Sequence, residues 1–268
     1  MQILAHRIIW SMLFLGLGLV ILRNKKTFQY LTSYKTIVLL TITGFIIGIN
    51  WLVYIYAVNN NHIVDASLGY YINPMVNILL GMIFLKERLS KIQAVAVVLA
   101  FVGVGIITFD YGKPPWVSLC LALTFGIYSL IRKKTAFDAL PGLFIETLML
   151  TPIAICFLWL LETKGSVVFH YSWQTDILLI LAGPVTAVPL FFFGFAVPRI
   201  PLSTIGFIQY LSPTIQLLIG VFIFREPFKP AYFTSFILIW LGLALYSYSL
   251  IKGIKKRTTK IEANLQES

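Results

Sequence analysis

Residues 69–88 read Gly-Tyr-Tyr-Ile-Asn-Pro-Met-Val-Asn-Ile-Leu-Leu-Gly-Met-Ile-Phe-Leu-Lys-Glu-Arg, and residues 208–226 read Ile-Gln-Tyr-Leu-Ser-Pro-Thr-Ile-Gln-Leu-Leu-Ile-Gly-Val-Phe-Ile-Phe-Arg-Glu. An offset of 139 lays one on the other: Tyr71 on Tyr210, Pro74 on Pro213, Gly81 on Gly220, Glu87 on Glu226. Working outward, the same offset carries Gly44 onto Gly183, Ala57 onto Ala196 and Gly103 onto Gly242 without a gap. The register holds across three consecutive apolar stretches, so a multi-helix block was duplicated rather than a short motif. Blocks of this kind are a recurrent construction in membrane carriers.

Composition places the chain in a bilayer. Hydrophobic residues make up 59% and charged residues 12%, with a mean hydropathy of +0.88, whereas soluble domains carry roughly 25% charged residues. A span needs about 20 predominantly apolar residues. Nine windows qualify: 4–22, 36–58, 63–85, 91–109, 115–131, 140–161, 175–197, 201–224 and 230–251. A β-barrel requires apolar/polar alternation, and Ala94 to Ile107 is apolar throughout. The expected fold is therefore all-α, a polytopic membrane bundle of nine transmembrane helices.

Basic residues near span ends stay on the cytoplasmic side. One alternating set of ends holds sixteen, from Arg23 through Lys86, Arg132 and Arg199 to the run Lys252–Lys260; the other holds five, Arg7, Lys113, Lys164, Arg225 and Lys229. This predicts a cytoplasmic C-terminus and makes the net charge of +11 a topology signal. The run after residue 252 is not the clustered basic face of a nucleic-acid binder, and no nucleic-acid partner is expected.

Four windows of the first half map forward by 139, but 115–131 maps back to positions before residue 1. The expectation is two repeats of five helices in opposite orientation with the first helix absent: 1–109 as the first repeat with four of its helices, 115–251 as the second, and 252–268 as a basic cytoplasmic tail.

Prolines mark the candidate pathway. Pro74 and Pro213 each remove a backbone donor and release a carbonyl one turn back, a defect that survives in a membrane only where it is buried in protein or lines a wet cavity. Asn73, Asn77, Ser212 and Gln216 flank these prolines, with Tyr71 and Tyr210 beside them. Pro184 and Pro189 predict a further broken helix in 183–197. Close packing of kinked helices around small residues accounts for the same pattern.

The strings His6-Arg7-Ile-Ile-Trp10-Ser11, Asn50-Trp51-Leu-Val-Tyr54-Ile-Tyr56-Ala57-Val58, Ser67-Leu-Gly-Tyr-Tyr-Ile-Asn-Pro74, Phe84-Leu-Lys-Glu-Arg88, Pro115-Trp116 and Leu211-Ser-Pro-Thr214, in this order and spacing, resemble the RarD branch of the EamA-type drug/metabolite transporter superfamily over nearly the whole chain. The resemblance implies a ten-helix bacterial inner-membrane carrier of two inverted five-helix units, and it too places one helix ahead of residue 1. Asp65 stands where this branch has Glu. The branch is named for chloramphenicol sensitivity, which does not by itself make that drug the substrate.

Intramembrane charges are functional by default. Arg7 and Glu146 are repeat equivalents. Opposite orientation would set them near opposite faces, each about 10 Å deep, so no direct salt bridge between them is expected. Snorkelling suits Arg7, whereas Glu146 is the candidate carboxylate for substrate or proton. His6 reads as a helix-end histidine, and His62 with Asp65 as a loop and helix start where Asp caps well. Asn50 and Tyr54 share a helix face, with Trp51 and Tyr56 alongside; stacking on a flat solute and interfacial anchoring are the two readings.

Enzyme chemistry finds no motif. Cys120 and Cys156 lie in apolar spans, His6, His62 and His170 lack metal-ligand spacing, and no phosphate loop is present, so neither a cofactor nor ATP hydrolysis is expected. The leading expectation is a secondary carrier of a small organic solute working by alternating access around Asn50, Tyr54, Tyr71, Asn73, Asn77, Glu146, Tyr210 and Gln216. A non-transporting or defective membrane protein and a flippase of lipid-linked substrates are the alternatives. The partners are a small-molecule substrate and the lipid bilayer; proton or ion coupling and a homodimer stay open.

Overall fold

The computed structural model describes residues 1–23, 26–60, 62–112, 115–163, 169, 172–223 and 230–266. Among these, all regular structure is helical: α1 (Gln2–Ile21), α2 (Lys26–Thr32), α3 (Tyr34–Asn59), α4 (Ile63–Phe84), α5 (Lys91–Tyr111), α6 (Trp116–Thr135), α7 (Ala139–Glu162), α8 (Trp173–Ala196), α9 (Leu202–Gln209), α10 (Leu211–Phe222) and α11 (Pro230–Gln266). Eight of them, α1, α3 to α8 and α11, are long and apolar enough to cross a membrane.

The ninth expected span, 201–224, is divided: α9 ends at Gln209 and α10 starts at Leu211. Pro213 withholds the N–H that the Gln209 carbonyl would accept in a continuous helix, and the chain passes through Tyr210 in a turn closed by Phe207. The other prolines act differently. Helix α4 runs on through Pro74, and α8 runs on through both Pro184 and Pro189, so the break expected in 183–197 is absent. The carbonyls that Pro184 and Pro189 release in α8 are those of Ile180 and Val185; separately, the Ser11 hydroxyl ties α1 to α8 by donating to the Gly183 carbonyl at 3.1 Å. The expected tail is also not a separate segment, because α11 continues as helix to Gln266, about 55 Å at 1.5 Å per residue.

Two compact units form, and each draws helices from both sequence repeats. The first comprises Met1–Ile63 and Leu123–Leu202. In it α1 packs on α7 and α8, and α3 packs on α7. Glycines permit the approach: a Cβ at Gly44 would stand 2.9 Å from the Glu146 carbonyl oxygen, and one at Gly183 only 2.5 Å from the Trp10 backbone. Ile8, Ile47, Trp51, Tyr128 and Leu150 fill its core. Ser33 and Ser172 cap α3 and α8 by accepting from the N–H three residues on, which satisfies one orphan donor of each helix start.

The second unit comprises Val64–Ala122 and Ser203–Ser268. Its core gathers Leu68, Tyr71, Ile78, Phe207, Tyr210 and Phe236. Helix α5 opens on a capping box of Ser90 and Gln93 and stops at Gly112 with φ +70°, a left-handed conformation that glycine adopts without steric cost. Glu87 caps α9, its carboxylate accepting from the Ser203 N–H at 2.9 Å and the Ser203 hydroxyl at 2.7 Å.

The packing of α5 on α11 is its own image under the 139-residue offset. A Cβ at Gly103 would lie 2.8 Å from the Ser235 carbonyl oxygen, and one at Gly242 would lie 2.8 Å from that of Ala96. Gly242 is the repeat equivalent of Gly103, and Ser235 that of Ala96. Position 103 of one copy thus meets position 96 of the other, in both directions, so α5 and α11 run antiparallel at this contact.

Candidate functional site

The sequence-predicted residues fall into two sets. Arg7, Asn50, Tyr54, Glu146, Pro184 and Pro189 belong to the first unit, while Tyr71, Asn73, Pro74, Asn77, Tyr210, Pro213 and Gln216 belong to the second.

In the first unit the centre is Glu146, in the second turn of α7 and 1% exposed. Its Oε1 accepts from the Thr43 hydroxyl of α3 at 2.7 Å, and its Oε2 from the Tyr128 hydroxyl of α6 at 3.1 Å. The Arg132 guanidinium, also 1% exposed, pairs with Oε1 at 3.5 Å. Two buried charges without each other would be prohibitively costly in an apolar surround. Tyr128 and Arg132 are four apart on α6 and so share a face. The guanidinium passes between two glycines: a Cβ at Gly142 of α7 would collide with it, and one at Gly194 of α8 would stand 2.7 Å from Nη2. Its Nε, Nη1 and Nη2 find no hydrogen-bond acceptor among the described residues. The pair at 3.5 Å is longer than the 2.7–2.9 Å typical of charge-assisted hydrogen bonds.

The Thr43 hydroxyl has one proton and two acceptors within reach, Oε1 and the Leu40 carbonyl at 3.1 Å. Turned to Oε1 it serves a carboxylate; turned to Leu40 it leaves a lone pair for a protonated acid. Ser11, Trp51, Glu146, Thr147 and Thr186 line a cavity of about 10 Å³ with apolar neighbours, about the space of one water.

Arg7 is half-buried with its guanidinium 4.6 Å from the centroid of the Trp51 ring. Glu146 thus takes Arg132 and not its repeat equivalent as partner. Asn50 donates to the Thr124 hydroxyl at 2.8 Å, and Tyr54 is half-buried on the same helix. His6 stacks on Phe169 at 5.1 Å and His62 on Tyr56 at 6.1 Å. His170 lies outside the described residues. Cys120 and Cys156 are unbridged.

The second unit buries amides instead. The Asn77 amide, 0% exposed, donates to Gln209 Oε1 at 2.6 Å. A Cβ at Gly206 would lie 2.5 Å from the Pro74 carbonyl oxygen, so α9 is seated directly on α4 at the proline. Tyr71 meets Phe236 edge-on at 5.5 Å. Asp65 is buried in the first turn of α4. Gln216 lies in α10, and its side chain is outside the described residues, as is Glu226.

Sequence reasoning missed Arg132, Tyr128 and Thr43. The expected span ended at residue 131 because Arg132, Lys133 and Lys134 read together as a cytoplasmic end. Only the four-residue spacing of Tyr128 and Arg132 carried the signal.

The family model described as the EamA-like transporter family matches residues 1–109. The chain is 45% identical to the uncharacterized transporter YojE of Bacillus subtilis over 97% of this chain and 88% of that one. It is 41% identical to protein RarD of Escherichia coli, again over 97% and 88%. The chain belongs to the EamA-like transporter family, in its RarD branch. It is a multi-pass membrane transporter, in a family of transporters rather than enzymes. A solved crystal structure 14% identical superposes with a TM-score of 0.67 over 92% of this chain and 87% of that one, which speaks to the fold alone.

Proposed function

We propose that this EamA-like chain is a secondary transporter that moves a small organic solute across the bacterial inner membrane by alternating access, without ATP hydrolysis. The observation that carries the reading is the buried Glu146–Arg132 pair, held by Thr43 and Tyr128. Intramembrane ion pairs mark substrate pathways by default, and here the guanidinium has donors to spare. A polar solute group can exchange for one partner of the pair without leaving a bare buried charge. Asn50 and Tyr54 are the further solute contacts in the first unit; Tyr71, Asn73, Asn77, Tyr210 and Gln216 are those in the second.

The carrier reading takes the two repeats as inverted, with nine spans and the C-terminus in the cytoplasm. The antiparallel, reciprocal contact of Gly103 and Gly242 and the sixteen-to-five division of basic residues support it. A fluorescent protein fused after Ser268 is expected to fluoresce and an alkaline phosphatase fused there to stay inactive; the reverse result would overturn the orientation.

The test of function compares cells expressing the wild type with cells expressing Glu146→Gln, matched for membrane-inserted protein, against a panel of labelled organic metabolites. Glutamine keeps the shape and removes the charge, and its single amide oxygen can still accept from one of the two hydroxyls, Thr43 or Tyr128. At least one solute is expected to accumulate differently with the wild type and to return to the empty-vector level in the variant. Transport unchanged by Glu146→Gln removes Glu146 from the site.

A further inference from the structure

The second unit holds a set of oxygen acceptors that its own residues do not serve. Asn77 and Tyr210 are both 0% exposed, yet Asn77 Oδ1 and the Tyr210 hydroxyl meet no partner among the described residues, and neither does the buried Oδ1 of Asn73. Asn73 and Asn77 are four apart on α4 and share a face. The bond from Asn77 Nδ2 to Gln209 Oε1 fixes the amide so that its oxygen points elsewhere, and it brings α4 to the residue next to Tyr210. At the α9–α10 break Pro213 can donate nothing to the Gln209 carbonyl, which adds an acceptor. An unserved polar group in an apolar interior costs about 1–3 kcal/mol; Asn73 and Asn77 lie on adjoining turns of α4, and the Asn77–Gln209 bond brings that face to the neighbour of Tyr210.

What is missing is a donor or a positive charge. The amide oxygens of Asn73 and Asn77 can only accept, so an anion would be repelled by them and an apolar group would leave them unserved, while the Tyr210 hydroxyl can serve as a ligand through its lone pairs. The contributing groups are amides, a phenol and the Gln209 carbonyl, all uncharged, and uncharged oxygens suit a monovalent ion better than the divalent ions that recruit carboxylates. Interrupted helices whose carbonyls turn inward are where coupling ions sit in secondary carriers.

We propose that Asn73, Asn77 and Tyr210, at the α9–α10 break, form a binding site for a small monovalent metal cation, with sodium the candidate. The proposal rests on the carrier reading only for its consequence, that the cation accompanies the solute; the binding site itself does not depend on it.

The experiment is thermal unfolding of the purified full chain in detergent, titrated with sodium chloride against choline chloride at constant ionic strength. A ligand that binds the folded state alone raises its stability with concentration. The expected result is a midpoint that rises and saturates with sodium but not with choline, and an apparent Kd raised about tenfold or more in Asn73→Ala and Asn77→Leu, the loss usual for altered metal sites. Tyr210→Phe, which keeps the ring and its packing, carries the same test should the amide variants unfold. Superimposable sodium and choline curves in the wild type overturn the proposal and indicate a trapped water. A sodium response unchanged in Tyr210→Phe and Asn73→Ala overturns the location. Glu146→Gln should keep the full sodium response while losing transport, so failure of the cation site and failure of the carrier reading are told apart.

Discussion

The first unit buries an ion pair, whereas the second, Asp65 apart, buries neutral polarity. In the first, Glu146 and Arg132 offset one another, and the carboxylate is served by two hydroxyls. In the second, Asn77 meets Gln209, while Asn73 Oδ1, Asn77 Oδ1 and the Tyr210 hydroxyl have no hydrogen-bond partner among the described residues. Each unit holds both copies of its own helices, with Glu146 answering to Arg7 in the first and Asn77 to Gln216 in the second, so the units differ in which helices of the repeat they take and not in which copy. The difference teaches that removing one partner of a charged pair leaves a bare buried charge, whereas removing one buried amide costs a hydrogen bond.

The contrast can be broken most severely at the ion pair. Arg132→Met strands the Glu146 carboxylate and is expected to cost about 3–5 kcal/mol. The double variant Arg132→Met/Glu146→Leu should recover much of that loss; additive losses in a double-mutant unfolding cycle would show that the pair is not coupled. Next come the glycines. Gly103→Val and Gly242→Val should each cost about 1–3 kcal/mol by overpacking, and by equal amounts if the reciprocal contact is real. Gly105→Ala, with open space around it, should stay within about 0.5 kcal/mol. Asn77→Leu leaves Gln209 Oε1 without its donor and should cost about 1–3 kcal/mol. The smallest effect is expected of Tyr210→Phe in choline buffer: its hydroxyl has no hydrogen-bond partner among the described residues, so unfolding should shift by less than about 1 kcal/mol. A larger loss there would mean that the second unit is as tightly satisfied as the first.

Much of this was legible in the sequence. The offset of 139 and the apolar windows located the helices within a few residues, and the isolation of Glu146 in an apolar span marked it as buried. Three things were not legible. Arg132 hid in a basic run, because sequence cannot tell which of three neighbouring cations turns inward; the glycines at 142 and 194 decide that by leaving room for the guanidinium. The prolines in α8 read as breaks because proline's local cost is visible in sequence and the tertiary contacts that offset it are not. The assembly of each unit from helices of both repeats was likewise hidden, since sequence adjacency favours neighbours and the contacts here join residues more than a hundred positions apart, as in Thr43 with Glu146 and Asn77 with Gln209.

That last feature sets a schedule for synthesis. Asn77 and Gln209 are separated by 132 residues, roughly 7 to 26 s of translation at about 5–20 residues per second. For that interval helix α4 stands in the bilayer with Pro74 and its amides not yet covered by α9. The nascent chain must shelter these groups some other way, by a chaperoning insertase or by holding α4 back at the translocon. Slowing translation between residues 112 and 202 would lengthen the exposure and should increase degradation of the newly made chain.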